Sequence, residues 1–516
     1  MANTRLFNTL DARLPAIDTC NQNGAGAYAY GARHQLAQLA VTGCLNQTYY
    51  ADAQDQLDRV LALASELDAA FVTRTAIYAR QQGHMKDMPA LLVAALAAQR
   101  SSLLPSAFAK VIDNGRMLRT FVQILRSGAT GRKSLGSQPK RLVQDWLNNA
   151  SERQLLQAAV GRQPSLADLV KMVHPKPNTA WRAAFFAWLL GKPVAADALP
   201  PLTRDLLAFR SGASDELPDV PHLLLGNRQL SAQQWAELGR RMGWQALRMN
   251  LNTLARHGAL ALPGVAEELA DRLADAQAVA KARVYPYQLL TAYRMAGADV
   301  PQVIRNALQS ALEHSLQNVP ALKGSVVVCP DVSGSMGSPV TGYRQGATTA
   351  VRCIDIAALV AAAILRQQPL ARVMPFERDV VNVQLNPRDS VMSNAGKLAA
   401  IGGGGTNCSA PLARLADERA RVDTLILVSD NESWIDGKRH GATQTLHQWE
   451  RIKRVNSQAR MICIDIQPYG TTQAKDRQDI LNVGGFGDAV FDVMTQFADG
   501  RYDARHWVRM IESMEI

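Results

Sequence analysis

Near residue 320 the spacing of the apolar side chains changes period, and that change constrains the fold more than any other feature of the chain. From about Leu57 to Leu312 they recur at helical spacing, as in Leu57, Val60, Leu61, Ala64, Leu67 and Phe71, or Met117, Leu118, Phe121, Ile124 and Leu125. Gly83, Pro89, Gly115, Gly128, Pro164, Pro175 and Gly191 cut this run into helices of ordinary length. Amphipathic helices in succession bury their apolar faces by stacking, so the pattern predicts an α-helical solenoid, without a fixed-length sequence repeat. After Pro320, short runs rich in Val and Ile replace the helical spacing, at 325–329, 424–429 and 461–466. They alternate with helical patterns at 353–366 and 443–455, which predicts buried parallel strands in a doubly wound α/β sheet. The expectation is a multidomain chain, helical over 1–320 and α/β over 321–516, with its boundary near 317–323. A length of 516 residues demands at least two domains, because a single core stops growing at roughly 250–300 residues.

Charge and targeting signals narrow the setting. The formal net charge is +11, which favours anionic partners. The opening MANTRLFNTL lacks the apolar core of a secretory signal, and the longest apolar run, 356–365, is far below the roughly 18 residues of a membrane span. A soluble, cytoplasmic chain with no membrane partner is expected. Cys20, Cys44, Cys329, Cys353, Cys408 and Cys463 form no CxxC pair, so they predict reduced, mostly buried thiols and neither a disulfide framework nor a zinc site.

The first expected strand after residue 320 runs into Asp331-Val332-Ser333-Gly334-Ser335, a DxSxS pattern of the metal-ion-dependent adhesion type. It stands at the carboxyl end of a strand, where open α/β sheets bind ligands. A hard divalent cation takes oxygen ligands, and one tight loop here supplies an acid and two hydroxyls. The glycine run 402–405 lets the backbone approach before Thr406, a third hydroxyl, and Asp430 adds a second carboxylate after 424–429. One DxSxS alone reads as a helix-capping turn, but three loops, each at the carboxyl end of an expected strand or on the facing loop, do not. The domain resembles the von Willebrand A family. The resemblance implies that Ser333, Ser335 and Thr406 are hydroxyl ligands, that Asp331 and Asp430 bind directly or through water, and that magnesium, or else manganese, is held with one position open for an acidic partner group.

The helical half carries its own resemblance. Residues 21–28 (NQNGAGAY), Leu36, Leu39, Gly43 and Thr48-Tyr49-Tyr50 are similar to the start of the TROVE module of Ro autoantigens. Residues 83–89 (GHMKDMP), 165–177 (SLADLVKMVHPKP), 249–252 (MNLN) and 283–287 (RVYPY) follow in the family's order. The resemblance implies HEAT-like helical repeats closed into a ring by the A domain. It also implies small structured, Y-like non-coding RNA on a basic outer surface, misfolded or single-stranded RNA ends in a central hole, and an exoribonuclease as a partner of a monomeric scaffold in RNA quality control.

Thirteen Lys or Arg against four acids between Lys110 and Arg182 place most of the net charge in one segment, and clustered cations of this kind neutralise phosphates. Lys133, Lys140, Arg141, Arg162, Lys171, His174 and Lys176 are the expected RNA-binding residues. An isolated basic helix would be a solvated face and His174 alone a capping residue, but the family's RNA-contacting segment coincides with His174. The glycine-rich stretch 128–134 lacks the GxxxxGK spacing of a phosphate loop and follows a helix, so it reads as a mobile basic loop. No general base or nucleophile with an orienting partner can be assigned near the metal loops, so the chain is expected to bind and not to catalyse. The alternative function is a metal-dependent protein-interaction adaptor.

Overall fold

The computed structural model describes residues 14–226, 228–282, 284, 286–316, 319, 322–343, 351–433, 441–485, 488–500 and 506–516. The opening decapeptide, Arg283 and Tyr285 of the 283–287 motif, and positions 317, 318, 320 and 321 of the expected boundary lie outside the described residues. The chain divides into two compact units, and the division is not a single cut near 320. One unit gathers the described residues of Met1–Glu66, Leu273–Met295 and Arg305–Ser513, the other those of Leu67–Arg272, Ala296–Ile304 and Met514–Ile516.

The first unit opens with the antiparallel pair β1 (Thr19–Cys20) and β2 (Gly26–Ala29). Its main sheet is built from β3 (Val326–Pro330), β4 (Arg372–Val373), β5 (Thr424–Ser429), β6 (Arg460–Asp465) and β8 (Ile480–Gly484), in the order β4-β3-β5-β6-β8. Every neighbouring pair in it is parallel. The short β7 (Thr471–Thr472) pairs antiparallel with β2.

Every residue of β3, β5 and β8 is buried. Helix Cys353–Gln367 is buried from Cys353 to Leu365, and Gln444–Val455 lays Leu446, Trp449 and Ile452 into the core. Covering a parallel sheet by helices removes both faces from water, which is why its strands read as continuous apolar runs. Each such side chain contributes about 1.5–3 kcal/mol of burial. The strand β8 was hidden because Asn482 interrupts its apolar pattern. That side chain is fully buried and satisfied by Thr472, the Ala474 carbonyl and Asp476. The N-terminal residues join this unit because β2 is zipped to β7 and Tyr28, fully buried, joins the same apolar core as Leu425 and Trp449.

The second unit is made of helices packed against near neighbours in sequence. Ala69–Gln81 packs on Asp87–Ala98, Asp87–Ala98 on Gly115–Ser127, Gly115–Ser127 on Glu152–Ala159, and Ser137–Asn149 on Leu166–Val173. Capping boxes at Ser151, Ser165 and Ser231 satisfy orphan amides where these helices begin. Gly115, a break in the sequence pattern, is a packing residue. A Cβ there would stand 2.1 Å from the Ala158 Cβ and 2.5 Å from its Cα, so only glycine permits this approach of two helices. Among the described residues no helix is long and apolar enough to cross a membrane. Cys329, Cys353, Cys408 and Cys463 are buried, Cys44 is half-buried and Cys20 is exposed, all as free thiols.

Candidate functional site

The five residues expected at a metal do converge at the carboxyl end of the sheet, where β3 and β5 end side by side. Asp331 and Asp430 follow β3 and β5 directly, and both are buried. Asp331 Oδ1 accepts from the Ser333 amide at 2.8 Å and Oδ2 from the Ser429 hydroxyl at 2.6 Å. Ser333 Oγ lies 3.3 Å from Ser335 Oγ and accepts from Thr406 Oγ1 at 2.8 Å. The Ser335 hydroxyl acts on Asp430, favouring its charged form against the effect of burial. The glycine run does the work expected of it. Gly403, at φ 129°, donates its amide to the Val332 carbonyl at 3.1 Å, and Gly404, at φ 72°, accepts from the Gly334 amide at 3.1 Å.

The electrostatics of the two acids suit a bound cation. Burial, and next the facing Asp430, push the Asp331 carboxyl up to about 7. Burial also raises Asp430. Two buried carboxylates facing each other lack the charge that would keep both ionised, and a divalent cation would supply it. Among the described residues no three His, Cys, Asp or Glu side chains gather for a metal, so a cation here depends on the three hydroxyls. An all-oxygen set of two carboxylates and three hydroxyls suits magnesium or manganese.

The basic residues occupy the helical unit. Lys133, Arg141, Arg162, Lys171, His174 and Lys176 are exposed and Lys140 is half-buried. Among the described residues none of the seven side chains makes a hydrogen bond or ion pair. Three of them, Lys140, His174 and Lys176, are brought together by helix Ser137–Asn149, where positions 140, 144 and 148 fall on one side. Gln144 donates to the Val173 carbonyl at 2.6 Å, and Asn148 to the Lys176 carbonyl at 2.9 Å. These bonds dock the turn carrying His174 and Lys176 beside Lys140. His174 closes helix Leu166–Val173 in a left-handed conformation, φ 50° and ψ 62°.

Other cations of the same segment are structural. Arg182 is buried and donates to the Leu147 and Ala150 carbonyls and to Asn178. Arg119 donates to the Ala158 and Val160 carbonyls, and Arg153 pairs with Asp219. The stretch 128–134 is pinned, since Arg132 reaches the Ala97 and Leu135 carbonyls at 2.7 and 3.0 Å.

The described architecture has counterparts. A family model, the Ro60 vWA domain, matches residues 325–498, and a second, the TROVE domain, matches 216–311. RNA-binding protein RO60 of Deinococcus radiodurans is 28% identical over 95% of this chain and 96% of its own length. The chain carries the two domains of Ro proteins, a TROVE domain and a Ro60-type vWA domain. RNA-binding protein RO60 of Caenorhabditis elegans is 25% identical over 50% of this chain and 41% of its own length. In fold, the crystal structure of the Deinococcus radiodurans RO (RSR) protein superposes with a TM-score of 0.62 at 24% identity, covering 92% of this chain and all of that one.

Against that family background, Glu432 is the site residue that motif reading missed. It is fully buried two residues beyond Asp430, and it accepts from the Gln22 amide at 2.8 Å. Burial, then Asp430, push its carboxyl up to about 8. Asn23 donates to the Glu432 carbonyl and to the Tyr50 hydroxyl, both at 3.2 Å. The TROVE-like stretch 21–28 therefore begins beside the metal loops. Asp430-Asn431-Glu432 carried a signal, two acids at alternate positions after a buried strand, but its second acid lies outside the motif.

Proposed function

We propose that this chain is an RNA-binding ribonucleoprotein scaffold that binds and does not catalyse. The observation that carries the reading is the set of seven basic side chains, unpaired among the described residues and held on neighbouring helical elements around Lys140 and the turn at His174. Cations without protein partners keep their full charge for phosphates, and binding releases condensed counterions. The names of the relatives agree with this reading. Its finer parts are a small structured, Y-like non-coding RNA on the basic face and single-stranded or misfolded RNA ends in a central hole, with an exoribonuclease as a partner of a monomeric cytoplasmic chain.

Asp331, Ser333, Ser335, Thr406 and Asp430 would hold magnesium or manganese, which when bound supplies a Lewis-acid position for an acidic group. The chain's own part is to orient these oxygens, and Ser429 and the Ser333 amide fix the Asp331 carboxylate for that purpose. The convergence of five buried oxygen groups favours a second reading, a metal-dependent protein-interaction adaptor. Mobility-shift titration of the purified chain with a structured RNA, in magnesium and in chelator, separates the two. Salt-sensitive binding that survives chelation is expected, and absence of RNA binding at low salt would overturn the scaffold reading.

A further inference from the structure

The turn 21–25, at the start of the TROVE-like stretch, is closed by its own backbone and by one side chain. The Asn21 amide donates to the Ala25 carbonyl at 2.8 Å and the Gly24 amide to the Asn21 carbonyl at 3.0 Å, with Gly24 at φ 74°. Asn21 Oδ1 accepts from the Asn23 and Ala25 amides at 3.1 and 3.0 Å. The other end of the same buried side chain leaves the turn, and Nδ2 donates to the Ser433 carbonyl at 2.6 Å, across 412 positions of the chain. Aspartate offers the acceptor without the donor, and alanine offers neither. Two more bonds run alongside, from the Gln22 amide to Glu432 Oε2 at 2.8 Å and from Asn23 Nδ2 to the Glu432 carbonyl at 3.2 Å.

What these three bonds hold is the loop that carries Asp430. The Glu432 amide donates to Asp430 Oδ1 at 3.2 Å, so the residue gripped by Gln22 and Asn23 orients that carboxylate. The Ser433 hydroxyl donates to the Thr406 carbonyl and accepts from the Cys408 amide, both at 3.3 Å. Ser433 is thus the node where the Asp430 loop meets the Thr406 loop, and Asn21 holds its carbonyl. Asn431, within the same loop, stands at φ 62°, a left-handed conformation uncommon outside glycine. Such a conformation persists where the surroundings fix it, and the bonds from 21–23 help to do so. The turn and the metal loops lie in the same compact unit.

We propose that the turn 21–25 is a positioning element of the metal site, and that metal binding and the seating of this turn are coupled. The proposal rests on the metal reading. Asn21 and Asn23 act through Ser433 and Glu432, not on the ion. An ion shared by Asp430 and Thr406 favours the loop arrangement in which Ser433 and Glu432 receive the turn. By reciprocity the seated turn raises affinity for the ion.

The test uses the full chain, with manganese as the probe ion in calorimetric titration and with hydrogen exchange followed by mass spectrometry in magnesium and in chelator. Asn21→Ala should weaken manganese binding about tenfold, the lower end of what partners of metal ligands contribute. Asn23→Ala, at an exposed residue that gives this loop one longer hydrogen bond, should weaken it about threefold. In the wild type, magnesium should slow exchange in the segment 21–25, and Asp331→Ala with Ser333→Ala should abolish that response. A turn with a merely structural role behaves differently, lowering the melting temperature when cut while the folded variant keeps its manganese affinity and exchange at 21–25 ignores magnesium. Unchanged affinity in folded Asn21→Ala, or exchange indifferent to magnesium, in a wild type that binds manganese, would overturn the coupling and leave the metal site standing. If circular dichroism shows Asn21→Ala unfolded, Asn23→Ala decides by the same criteria. No manganese binding by the wild type removes the metal site and the coupling together.

Discussion

Asp331 and Asp430 are two acids held where water cannot serve them, and their surroundings give the metal proposal a measurable signature. Asp331 is held up to about 7, well above the roughly 3.9 of a free aspartate, so the folded state binds more protons than the unfolded chain across that window. Metal-free stability should therefore fall as pH rises from about 4 to about 7. Magnesium must displace that proton, so its stabilising effect should grow over the same range. Thermal melts at pH 5 and pH 7.5, in chelator and in magnesium, check both signs. A magnesium shift that is equal at the two pH values would contradict the assignment. Asp331→Ala with Ser333→Ala should remove the magnesium or manganese shift and leave the protein folded. A double variant that melts with an undiminished metal shift would show that the ion binds elsewhere. At this scale the meeting of Asp331, Ser333, Ser335, Thr406 and Asp430 in one place was legible in the sequence, because motif and strand ends coincide. Glu432 was not legible, because only the fold shows that it is buried beside them. Charge alone misled in another way, since Arg182 and Lys176 count equally in a sequence while one is buried under carbonyls and the other faces water.

Elements carry the placement of the basic face. Gln144 and Asn148 are uncharged, yet their bonds to the Val173 and Lys176 carbonyls hold the turn that presents His174 and Lys176. Gln144→Ala with Asn148→Ala should weaken RNA binding, with each lost hydrogen bond worth about 0.5–1.5 kcal/mol, while the salt slope stays unchanged because no phosphate contact is removed. A slope that falls along with the affinity would show that these residues do not act through positioning. Apolar periodicity found β3, β5 and β6 within a residue or two, since both faces of each are buried. It missed β8, whose Asn482 is paid for by three hydrogen-bond partners, and β1, β2, β4 and β7, which are too short to show a period.

At the scale of the whole molecule, the change of period near 320 marked two kinds of architecture but not which residues pack together. Residues before Glu66 join the sheet-bearing unit through long-range pairing of β2 with β7, and no local pattern encodes a pairing across more than 400 positions. RNA binding is assigned to the helical unit and the metal to the other, so chelation should leave affinity for structured RNA nearly unchanged in a protein that remains folded. The most direct test of the account is the salt dependence of RNA binding when Lys133, Lys140, Arg141, Lys171 and Lys176 are replaced together by Gln. The account predicts weaker binding to RNAs of many sequences and a flatter dependence of log affinity on log salt, by about 0.7–0.9 for each phosphate contact removed. A folded quintuple variant with the affinity and slope of the wild type would contradict it.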